Sequence, residues 1–114
     1  MKTQVTEIDV LQKYLVDVIS RADHHASNVN EIALAIAGAI VWRKKAAPIE
    51  VMTQSGEMKN VLWVKMTSGK RYAFSYNHQA GTIEIRKGST QGTVIYSLSN
   101  ATPLSQLRNI FMSL

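Results

Sequence analysis

Apolar residues recur every three or four positions through the first forty residues and every second position from Ile49 onward. That change of period divides the chain into a helical start and a sheet-forming remainder. Ile8, Leu11, Leu15, Val18, Ile19 and Ala22 form one stripe, with Glu7, Gln12, Lys13, Asp17 and Ser20 turned away, which predicts a helix over 6–23. Thr6 fits its N-cap with Asp9 at the N3 position, and Val5 and Val10 fall where a hydrophobic staple would lie. A second helix is predicted after Asn28, whose side chain suits an N-cap, with Glu31 completing a capping-box-like start. Its body, IALAIAGAIVW (32–42), is apolar all round and so should lie between other elements. Ala33, Ala35, Ala37, Gly38 and Ala39 would let a neighbouring backbone come close. Arg43, Lys44 and Lys45 complement the carbonyl end of the helix dipole, and Pro48 bars continuation.

Strands are predicted at 49–54, 59–67, 70–77, 82–87 and 93–98, punctuated by Ser55-Gly56, Ser68-Gly69, Ala80-Gly81 and Gln91-Gly92. Connections this short make an antiparallel meander. Thr102 as N-cap with Pro103 at N1 opens a last helix whose face is Leu104, Leu107, Ile110, Phe111 and Leu114. The expected architecture is a single α+β domain over 1–114, with two N-terminal helices, a five-stranded antiparallel meander sheet and one C-terminal helix.

Register decides which side chains are available to a partner. If Ser68-Gly69 is a two-residue hairpin loop, Thr67 opposes Lys70, Trp63 faces Phe74 and Val61 faces Tyr76. A four-residue loop from His78 to Gly81 sets Ile83 against Tyr76 and Ile85 against Phe74. The core face is then Val61, Trp63, Tyr72, Phe74, Tyr76, Ile83 and Ile85. The opposite face presents Leu62, Val64 and Met66 with Ala73, Arg71, Ser75, Glu84 and Arg86. Three large apolar residues there call for a cover, either the C-terminal helix or a second subunit.

Composition changes this picture in three places. The 114 residues include no cysteine, which excludes disulfides, thiol catalysis and thiolate zinc sites. The longest apolar stretch is far short of the roughly 20 residues of a membrane span, and no apolar run follows Lys2 as in a signal peptide, so a cytoplasmic protein with no membrane partner is expected. The net charge of +5 is uneven, −2 over residues 1–42 and +7 over 43–114. A basic half suits acidic partners, but lysine on strand edges also guards against aggregation.

Asp23, His24, His25 and His78 are the candidate metal or acid–base residues. Adjacent histidines at a helix end diverge, and nothing in the spacing brings His78 to that corner. There is no HExxH, no GxSxG elbow and no phosphate loop, so no catalytic residue is assigned and no cofactor is expected. Tyr72, Phe74 and Tyr76 alternate beside Lys70, Arg71, Arg86 and Lys87, which would suit bases stacking on a sheet, yet the register places those aromatics in the core.

The segments VISRADHH (18–25), GAIVWRKK (38–45), NVLWV (60–64), RYAFSYNH (71–78), IEIR (83–86) and STQGTVIYSLSNATP (89–103) together resemble the proteins encoded by bacterial integron gene cassettes. The resemblance runs from about residue 17 onward. It implies a bacterial, mobile-element origin and an accessory function, and it carries no residue role. The function expected is non-catalytic binding or assembly as a homodimer, with Arg71, Arg86, His78, Leu62, Val64 and Met66 as the partner-contacting residues. A nucleic-acid-binding accessory protein is the alternative, and a small enzyme or metal-binding protein centred on His24, His25 and His78 ranks third.

Overall fold

The register of the central hairpin differs from the expected one by a single residue, and the faces of one strand exchange as a result. The computed structural model describes residues 2–5, 8–54 and 57–114, and their side chains except at positions 3, 5, 9, 10, 14, 53, 54 and 57–60. The elements are β1 (Lys2–Val5), α1 (Ile8–His25), α2 (Asn30–Arg43), β2 (Ile49–Gln54), β3 (Glu57–Lys65), β4 (Arg71–Asn77), β5 (Thr82–Lys87), β6 (Val94–Leu98) and α3 (Leu104–Ser113). The strands lie side by side in chain order, each antiparallel to its neighbour. The α+β class and the five-strand meander are as expected. β1 adds an edge strand to them, pairing Lys2–Val5 with Ile49–Met52. The expected cap at Thr6 with Asp9, the Val5–Val10 staple and the Ser55-Gly56 turn lie outside the described residues.

Between β3 and β4 the loop is three residues long, Thr67-Ser68-Gly69. Met66 N–H donates to Lys70 C=O at 2.9 Å, and Gly69 takes a positive φ of 87°. A three-residue hairpin ends on just such a left-handed residue, which glycine occupies without strain. Leu62 therefore opposes Phe74 and Val64 opposes Tyr72, while Trp63 opposes Ala73. Because side chains alternate, this one step turns Leu62, Val64 and Met66 inward and Trp63 outward. A row Val51, Leu62, Phe74, Ile85, Tyr96 crosses five strands on the inner face. Val64 and Met66 are each 1% exposed. The β4–β5 pairing follows the expected one, with Tyr76 against Ile83 and Phe74 against Ile85.

All three helices cover this inner face, with α2 between α1 and α3. Ile32, Ile36 and Ile40 of α2 and Leu107, Ile110, Phe111 and Leu114 at the C-terminal end join the sheet residues in one core, where Phe111 stacks on Phe74 at 6.0 Å. Leu104, expected on that face, is exposed. The helix termini are tied across the fold. Asn100, in the β6–α3 loop, accepts from Glu31 N–H and Ile32 N–H at 3.0 and 2.9 Å and donates to Ser27 C=O and Asn30 Oδ1. It thus supplies the α2 cap that the local pattern assigned to Asn28, whose carbonyl instead accepts from Asn100 N–H at 2.7 Å. Thr102 likewise does not cap α3; its hydroxyl accepts from Ser99 N–H at 3.0 Å. At the other end of α2, Arg43 C=O accepts from the backbone N–H and the hydroxyl of Thr67, and Arg43 Nε donates to Phe111 C=O at 3.2 Å.

Candidate functional site

A partly open cavity of about 310 Å³ lies between α1, α2 and the sheet. Its origin lies in side-chain size. Ala33 and Ala37 of α2 line the space, and each contributes only a methyl to its wall. Leu11, Leu15 and Val18 of α1 front the space and are only half buried, and Leu62, Phe74, Tyr76 and Ile83 form its floor on the sheet.

Arg21, His25, Ser75 and His78 are the polar residues of its lining. Arg21 and His25 stand four residues apart, hence one above the other on the α1 face that Leu11, Leu15 and Val18 begin. His78, from the turn after β4, lines the same cavity and meets Tyr76 edge-on at 4.7 Å between ring centroids. That turn is held by Asn77 Oδ1, which accepts from Gln79 N–H and Ala80 N–H at 3.0 Å. It closes on Gly81 at φ 66°, against which the Asn28 side chain packs. Two histidines with no spacing to unite them thus line one cavity. Arg21, Ala33 and Ala37 are cavity residues that sequence reasoning passed over; the pairing of Arg21 with His25 at helical spacing was the legible signal.

The remaining expected residues lie elsewhere. His24 is exposed, its ring 6.1 Å from that of His25, and Asp23 accepts from Asn30 Nδ2 at 3.0 Å. Among the described residues no three His, Cys, Asp or Glu side chains gather where a metal ion could be held. Arg71 and Arg86 are on the sheet face away from the helices. Arg71 Nη2 lies 3.2 Å from Glu50 Oε1, at angles outside hydrogen-bonding geometry, and its Cζ stands 5.8 Å from the centre of Trp63. Lys2 Nζ approaches the same indole at 4.8 Å, so the outward tryptophan is only 4% exposed beneath charged side chains. Arg86 Nη2 binds Glu84 Oε1 at 2.9 Å and its Nη1 donates to Gly92 C=O. Hydrogen bonds from Asn77 and Arg86 hold the Glu84 carboxyl below the usual carboxylate range. Burial, with the neighbouring Tyr96 adding to it, raises the Tyr72 phenol above its ordinary value.

No helix among the described residues is long and apolar enough to cross a membrane. In comparison with known proteins, the family model VCH_CASS14, described as integron cassette protein VCH_CASS1 chain, matches residues 11–108. No curated protein matches the chain.

Proposed function

The chain belongs to the VCH_CASS14 family of integron cassette proteins, and from that premise we propose that it is a non-catalytic binding protein whose cavity between α1, α2 and the sheet holds a small, largely apolar molecule. One observation carries the reading: a space of about 310 Å³, walled by aliphatic and aromatic side chains, with its polar groups confined to a few positions. Small-molecule sites have this character, concave and mostly apolar with a few placed polar groups, at volumes from roughly 300 Å³ upward. The expected homodimer face keeps no residue basis, because Val64 and Met66 are core and Leu62 lines the cavity. Tyr72 and Phe74 face the core, and Arg71 and Arg86 are engaged with Glu50 and Glu84, so the nucleic-acid alternative gains no support from them.

The test is a fluorescence titration with 1-aminonaphthalene, a neutral and environment-sensitive probe of suitable size. Saturable one-to-one binding with a blue shift is expected, and Ala33→Phe should abolish it by placing a ring in the cavity. Absence of saturation in the native protein, or undiminished binding by a folded Ala33→Phe variant, refutes the reading.

A further inference from the structure

We infer that the molecule held in this cavity is an amphipathic anion, a carboxylate on a short aliphatic chain, whose head is received by Arg21, His25 and His78. The inference rests on the binding reading above and adds the chemical class of the ligand. At roughly 30 Å³ for each water-sized group, a cavity of about 310 Å³ takes some ten heavy atoms. A medium-chain acid has that size.

The distribution of charge around the space selects the head group. Arg21, His25 and His78 are the cationic or cation-capable side chains on the lining, and no Asp or Glu lines it among the described residues. Elsewhere the wall offers little but hydrocarbon, where a polar head without hydrogen-bond partners would cost several kcal/mol. The head must therefore sit with these three residues and the tail against the rest. α1 itself runs from tail to head: Leu11, Leu15 and Val18 come first along its inward face, then Arg21 and His25 in the last two turns. An arginine adds geometry to charge, since its planar fork matches the two oxygens of a carboxylate. The carbonyl end of α1 opposes an anion, but the amide end of α2 begins at the same corner and offsets it. Net backbone dipole thus leaves the choice to the side chains.

The experiment is displacement of 1-aminonaphthalene by octanoate and by 1-octanol, which share a chain and differ in the head. The ratio of the two affinities is read in the native protein and in Arg21→Gln, His25→Gln and His78→Gln. Octanoate should bind at least tenfold more tightly than the alcohol to the native protein. Arg21→Gln should cut that ratio about tenfold and each histidine variant severalfold, with 1-octanol affinity unchanged. Should Arg21→Gln fail to fold, His78→Gln, at an exposed turn position, decides the matter by the same ratio. Preferential binding of 1-octanol, or a ratio indifferent to the substitutions, overturns the anionic head while the binding reading stands. Failure of the probe and both competitors to bind overturns the binding reading itself.

Discussion

Replacing Ala37 with leucine distinguishes a functional cavity from a close helix contact, because the two give stability changes of opposite sign. Ala37 is half buried, on the cavity wall. Leucine adds three carbons at about 0.8 kcal/mol per buried methylene, or about 2.4 kcal/mol. Freezing its rotamers costs about 0.5–1 kcal/mol. Helix propensity scarcely changes, since leucine ranks next to alanine. The net expectation is stabilisation by about 1.5 kcal/mol. Unfolding entropy of about 2.1 cal/mol/K per residue over 114 residues turns this into a rise in Tm of about 6 °C, read by circular dichroism. The same side chain occupies roughly a third of the space, so 1-aminonaphthalene should bind at least tenfold more weakly. If Ala37 instead meets a close-packed neighbour, overpacking destabilises by about 1–3 kcal/mol. A lower Tm would therefore refute the cavity as described.

Asn100→Ala removes the acceptor for Glu31 N–H and Ile32 N–H and should cost about 2 kcal/mol in urea unfolding, whereas Asn28→Ala, at the locally expected cap, should cost under about 0.5 kcal/mol. Glu84 has a depressed folded-state pKa, so its stabilisation is present above the unfolded value of about 4.3 and is lost as pH falls through the lower folded value. Urea midpoints measured from neutral pH down through that window should fall less steeply for Glu84→Gln than for the native protein. Val64→Glu places a carboxylate at a position 1% exposed and should abolish folding, with a loss above about 4 kcal/mol. A folded variant with native Tm by circular dichroism would restore the two-residue hairpin register.

The class and order of elements were legible because the period of the pattern is set by backbone geometry, and most of the chain obeys it. The alternation of Tyr72, Phe74, Tyr76 with Ile83 and Ile85 gave a strand pair and its register together. β1 escaped notice because Lys2-Thr3-Gln4-Val5 is too short for period two to declare itself. The error at Ser68-Gly69 had a different source: a glycine after serine suits either a two-residue loop or the last position of a three-residue one. Both readings leave β3 amphipathic, since Leu62, Val64 and Met66 interleave with Val61 and Trp63. The pairings of Leu62 with Phe74 on one side and with Val51 on the other settle which set is inside. Caps failed for the same reason. Asn100 is about seventy residues away from the helix that it caps, beyond the reach of any local signature.

The cavity was the least legible feature, since Ala33 and Ala37 are compatible with either close approach or open space until α1 is placed. Energetics explain why it has a mouth. A sealed, empty void of about 310 Å³, at roughly 24 cal/mol per Å³, would cost about 7 kcal/mol, a large part of the 5–15 kcal/mol that holds a domain together. Such a void does not survive in a domain of this size; the space must be reached by solvent or filled. The partly open wall provides the first condition, and a ligand provides the second. A ligand at a hundredfold excess over its Kd adds about 2.7 kcal/mol to stability. The half-buried inward residues of α1 are then the ones that should gain most order on binding. Amide hydrogen exchange, slowed across Leu11 to His25 by octanoate and unchanged in β4 and β5, is the expected signature; uniform slowing throughout the fold would mean that α1 closes no space of its own.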